Sequence, residues 1–182
     1  MKKFLVSALA TFVLVSFGSV FAQVSDTAAH DVTVKIPEVV MLRFTNSGSN
    51  AAVTTGLDIE FDLSTTFVDG LAASVGMSNT PGWDDLKVFV NRNATWSVTM
   101  GLSNISVPTG ATWDWGAIVV TPSGSGLATN SFGLDDTGIV SAATARGWSS
   151  LGFGPQDFEL TLDGTELAGD YSATVTYTLT AP

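Results

Sequence analysis

Nearly all the side chains able to do acid–base chemistry in this chain are carboxylates, and six of them stand in close pairs: Asp84-Asp85, Asp135-Asp136 and Asp157/Glu159. Two carboxyl groups facing each other across a cleft are the equipment of glycoside hydrolysis. No pair here has flanking residues that would drive its two pKa values apart, so solvated loop acids are expected instead. The single histidine, His30, precedes the first predicted strand, and no nucleophile motif accompanies it. Zinc sites draw on several His or Cys ligands, and this chain has no cysteine. Asp58, Glu60 and Asp62 offer oxygen ligands that suit calcium, but Leu63 stands where an EF-hand loop needs glycine. The expectation is a non-catalytic protein with no cofactor and no metal centre.

Trp113-Asp114-Trp115 is the one sequence that suggests a ligand. In an extended segment both indoles project to the same side, and exposed rings stack on sugars. The competing expectation is that they cap one end of the core, since aromatics bury large areas. Trp113 and Trp115 are therefore the candidate glycan contacts, with Trp83 and Trp148 open to either reading. Asn93-Ala94-Thr95 and Asn104-Ile105-Ser106 fit the N-glycosylation triplet, a pattern that often arises by chance.

The elements that must position these residues read as β-strands. Apolar and polar residues alternate at Leu57 to Leu63, at Trp96 to Leu102 and, most clearly, from Tyr171 to Leu179. Such a period of two marks strands with one buried face. Further strands are predicted at Val32 to Ile36, Val39 to Phe44, Leu86 to Val90, Ala117 to Val120 and Phe158 to Leu162. Pro37 breaks the first two apart, because proline cannot donate to a ladder. Asn91-Arg92-Asn93 predicts a hairpin, and Asp163-Gly164 a turn. Residues 131 to 154 read mostly as loop, with room for a short strand or a helical turn. Seven to eight strands without a sustained helical period predict an all-β fold, a two-sheet antiparallel immunoglobulin-like β-sandwich, with a barrel as the alternative.

The first 22 residues have the three parts of an export signal. Lys2 and Lys3 precede an apolar run from Phe4 to Phe17, and Val20-Phe21-Ala22 supplies small residues for cleavage. The run is short for a bilayer span of about 20 residues, so residues 1–22 are expected to be removed and 23–182 to form a single domain. No second apolar run of that length follows, so no membrane span is expected in the mature chain. All 17 acidic residues lie beyond Ala22, against five of the seven basic ones. Nucleic acid is a poor partner for such a chain, because binding it needs clustered Lys and Arg.

The C-terminal run from Leu167 to Leu179, with Gly169, Tyr171 and Val175 in a Gly-x-Tyr-x-x-x-Val pattern, resembles the closing strand of bacterial surface β-sandwiches of the spore-coat-U, fimbrial-subunit and WxL type. Asn93 to Val98 is similar to their internal Asn-x-x-Trp strand start. The chain departs from them in lacking a disulfide and the paired Trp-x-Leu motifs. The resemblance implies a secreted, extracellular or cell-envelope protein with a structural or adhesive role, a filament subunit being its sharpest form. Partners would then be further copies of the chain or envelope components. A secreted carbohydrate-binding module using Trp113 and Trp115 is the alternative. A physical argument points the same way as the resemblance. The outer face of Tyr171 to Leu179 is uncharged and threonine-rich, so an open edge there would template another strand, and Val32, Val34 and Ile36 offer a donor.

Overall fold

The computed structural model describes residues 31–63, 73–76, 81–128 and 130–182. The chain divides into two units, Met1–Ile36 and Pro37–Pro182. The described part of the first, residues 31–36, forms no strand or helix. Residues 1–22, expected to form an export signal, and His30 lie outside the described residues.

The second unit is all-β, antiparallel and sandwich-like, as the alternation predicts. Its strands are β1 (Val40–Thr45), β2 (Ala73–Gly76), β3 (Asp85–Val90), β4 (Trp96–Ser106), β5 (Ile118–Val120), β6 (Phe132–Gly133), β7 (Gly138–Ala143), β8 (Gly147–Ser150), β9 (Phe158–Leu162) and β10 (Ser172–Thr180). They form three ladders in the orders β1-β3-β8, β10-β4-β7 and β2-β9-β5-β6. The described strands thus number ten, above the seven to eight expected. The additional ones are the short β2, β6, β7 and β8, three of them within the stretch that reads as loop. Those segments are rich in Gly, Ser and Ala, whose side chains give no alternation to read.

Strong alternation translates directly into burial. Leu86, Val88 and Val90 of β3 point inward, as do Trp96, Val98 and Met100 of β4 and Phe158, Leu160 and Leu162 of β9. Each such side chain contributes about 1.5–3 kcal/mol relative to exposure. Phe153, between β8 and β9, joins the layers. Its ring meets Phe132 at 5.5 Å, Phe158 at 6.4 Å and Tyr177 of β10 at 6.0 Å.

The strand expected at Val32 to Ile36 is not formed, and two other expected features differ. Asn91-Arg92-Asn93 does not close a hairpin, because β3 pairs with β1 and β8 whereas β4 pairs with β10 and β7. The chain crosses between ladders there, and Asn91 has another role. Its Oδ1 accepts from Val39 N at 2.6 Å, its Nδ2 donates to Pro37 O at 2.8 Å, and its own N–H donates to Val39 O at 3.2 Å. Leu57 to Leu63 keeps its alternation, with Asp58, Glu60 and Asp62 exposed and the apolar residues half-buried against the core, but it is not a ladder strand. Trp83 Nε1 ties it down by donating to Leu57 O at 3.1 Å.

The outer edge of β8 is covered. Leu127 N donates to Ser150 O at 3.1 Å, Ala128 N to Leu151 O at 2.9 Å and Gly124 N to Gly152 O at 2.9 Å. This approach requires two glycines. Gly152 has φ +83, and a Cβ on Gly126 would sit 2.2 Å from the Gly152 nitrogen.

Candidate functional site: the open edge of the last strand

β10 is formed by the sequence Ser-Ala-Thr-Val-Thr-Tyr-Thr-Leu-Thr, in which β-branched and aromatic residues suit a half-buried pleat. It pairs with β4 along one side, with Val175 opposite Leu102, Tyr177 opposite Met100 and Leu179 opposite Val98. Among the described residues no strand pairs with its other side. With nine residues it is the longest strand at a ladder edge, against six in β1 and β7, four in β2 and two in β6. It carries neither charge nor proline, the usual protections of an edge. Its threonines are exposed, while Ala173, Val175, Tyr177 and Leu179 are half-buried.

Beside this edge lies an open groove of about 260 Å³, lined by Leu42, Arg43 and Phe44 of β1, Leu86, and Val175 to Tyr177 of β10. β1 is itself the end strand of its ladder. The groove therefore lies between two edges that no described strand pairs, with Leu42, Phe44, Leu86, Val175 and Tyr177 as apolar lining beside Arg43 and Thr176. Phe44 and Tyr177 meet edge-on at 6.0 Å across it. Burial pushes the Tyr177 phenol above its ordinary range. The β10 edge can take the backbone hydrogen bonds of an extended peptide, and the part of the groove not closed by the Phe44–Tyr177 contact is open to its apolar side chains.

Trp113 and Trp115 occupy the other candidate position. Asp114 accepts from Gly116 N at 2.9 Å and caps a single 3-10 turn, Trp115–Ala117, so the segment does not stay extended. The two indoles meet at 6.1 Å and 82°, and Trp113 also packs on Tyr171 at 4.9 Å. Both are half-buried against the core. Tyr171 OH donates to Leu167 O at 2.7 Å, closing the turn before β10. Trp113 Nε1 is buried with no hydrogen-bond partner among the described residues.

The carboxylate pairs serve local backbone. Asp84 accepts from Ser47 N at 2.6 Å, Asp136 from Gly133 N at 2.8 Å and Asp157 from Gly154 N at 2.8 Å. Glu159 takes the Ser74 hydroxyl across the β2–β9 pair. Asp85 lies beside Ser150 and Gly152, and desolvation by burial raises its pKa against those bonds and the nearby Lys87. Among the described residues no group of three or more His, Cys, Asp or Glu side chains is placed to hold a metal ion. Nor is any helix long and apolar enough to cross a membrane.

Sequence reasoning singled out β10 and the tryptophans but missed Asn91 and the contribution of β1 to the groove. The alternation of Leu42 and Phe44 was visible, but their placement opposite β10 depends on the crossing between ladders. No protein-family model, curated protein or solved structure matches the chain.

Proposed function

We propose that this chain is an exported, non-catalytic structural or adhesive protein of the cell surface or extracellular space, which assembles with further copies by strand addition along β10. The observation that carries this reading is the nine-residue, uncharged β10 edge beside an apolar groove. An edge of that length without protection is a template for another strand. Residues 31–36 supply a matching donor, because Val32, Val34 and Ile36 repeat at the strand period and are each about three-quarters exposed. A second copy is the natural source. The export signal and the resemblance to bacterial surface sandwiches support the same location.

Fractionation of producing cells tests the location and the role together. The protein should be found in the envelope or in filaments, shortened by its first 22 residues. Recovery of the intact chain in the soluble cytoplasmic fraction would refute the proposal.

A further inference from the structure

The outward face of the β1-β3-β8 ladder is a second, independent feature. Met41, Phe89 and Trp148 stand side by side in register, and Arg43, Lys87 and Ser150 form the next row. The inward residues of β3 are Leu86, Val88 and Val90, so these two rows look away from the core. Phe89 and Trp148 lie 5.3 Å apart, and the Arg43 guanidinium is held 5.6 Å from the centre of the Trp148 ring.

Among the described residues, the hydrogen bonds of the two cations go to neutral acceptors. Arg43 donates to Asn50 O at 3.4 Å and to Met41 Sδ at 3.0 Å, and Lys87 donates to Ser49 O at 2.8 Å. Asp85, the nearest carboxylate in register, is engaged with Ser150 and Gly152 and senses Lys87 only through space. The ion pair found among the described residues, Arg92–Glu38 at 3.3 Å, lies elsewhere. A chain of formal net charge −10 thus sets two of its seven basic residues next to each other, outside the ion pair found among the described residues and with Asp85 acting on Lys87 through space. Like charges directly opposite one another are unfavourable in a sheet, so the pair costs stability unless an anion joins it.

We infer that this face binds an acidic polysaccharide, with Met41, Phe89 and Trp148 receiving the apolar faces of the sugar rings and Arg43 and Lys87 their acid groups. With strands about 4.8 Å apart, the aromatic row extends about 10 Å, enough for more than one pyranose ring. The cationic row lies about 7 Å further along the strands, within reach of long side chains. Arg43 spends one Nη1–H on Asn50 O and one Nη2–H on Met41 Sδ, and its remaining N–H groups are those that a carboxylate would take in a planar, bidentate way. Acidic peptide would satisfy the charges but has no use for the aromatic row. This inference does not depend on strand addition, although Arg43 also lines the groove beside the β10 edge; Met41, Lys87, Phe89 and Trp148 do not.

Affinity electrophoresis of the full chain through gels containing polygalacturonate, neutral dextran or polyglutamate tests it. The expected result is retardation by polygalacturonate alone, weakened by salt. Arg43→Gln and Lys87→Gln should each reduce it about tenfold, the value of a charge-assisted hydrogen bond. Trp148→Ala should reduce it as well, with an unfolding transition measured alongside to separate a binding loss from a folding loss. Three outcomes would overturn the inference: no retardation, equal retardation by polyglutamate, or retardation that survives both Gln substitutions. A dimer in solution that Trp148→Ala dissolves would equally overturn it, assigning the face to a second copy.

Discussion

Phe44 of β1 and Tyr177 of β10 meet at 6.0 Å, ring edge to ring face, and bridge two ladder edges that share no backbone hydrogen bonds. Side chains alone close the sandwich at that point. The gap therefore depends on Tyr177 in a way that an ordinary interior residue would not.

Tyr177 gives the chain an alkaline limit. Its phenol has an ordinary pKa of 10.0, and burial raises it in the folded state. A raised pKa contributes stability that is complete below the unfolded value and is lost as pH climbs from there toward the folded one. Unfolding should become easier above about pH 10. Tyr177→Phe should lessen that loss, as read from denaturant midpoints between neutral and strongly alkaline pH. An identical alkaline decline in both proteins would contradict the assignment.

Asp85 acts at the other end of the scale. Desolvation raises its pKa above the ordinary 3.8, against the bonds from Ser150 and Gly152. The folded state then binds the proton more tightly than the unfolded one, so its contribution is complete below 3.8 and declines as pH rises through the folded value. Asp85→Asn should remove that part of the pH dependence, which lies above pH 3.8. Denaturation curves at closely spaced acidic pH values check it.

The tryptophans should respond differently to the same change. Trp96 Nε1 donates to Ala145 O at 2.9 Å and Trp83 Nε1 to Leu57 O at 3.1 Å, whereas Trp113 Nε1 is buried without a partner among the described residues. Leaving a buried donor unmade costs about 1–3 kcal/mol. Trp113→Phe should therefore be neutral or stabilising, while Trp96→Phe and Trp83→Phe should destabilise. Thermal denaturation of the three variants side by side settles the order.

Gly126 packs against Gly152 with no room for a side chain. Gly126→Ala would place its Cβ 2.2 Å from the Gly152 nitrogen. The strand edge at Ser150 and Leu151 would have to move, at a cost of about 1–3 kcal/mol or more. Gly48→Ala, whose Cβ would meet nothing within 4 Å at φ +72, should cost less. Equal losses in the two variants would show that the seam is not tightly packed.

The sequence predicts well wherever branched and aromatic residues alternate. β3, β4, β9 and β10 were all visible, because one wrong residue in register would turn a whole apolar face to water. β7 and β8 were not, since Ser, Ala and Gly fit a strand without announcing it. Pairing was harder still. Asn91-Arg92-Asn93 has hairpin chemistry, yet the chain uses Asn91 to grip Pro37 and Val39 and crosses to another ladder. Tyr171 to Leu179 was legible as a strand in need of a partner. That β4 takes one side and no described strand takes the other became visible only with the topology.

The most direct test is the mass of the chain beginning at Gln23, measured by light scattering over a wide concentration range, beside the double variant Thr176→Lys, Thr178→Lys. Both threonines are exposed, so the lysines leave the core intact while protecting the edge. Strand addition predicts a mass that grows with concentration in the parent chain and stays monomeric in the variant. A parent chain that remains monomeric throughout, or oligomers that persist with both lysines in place, would contradict it.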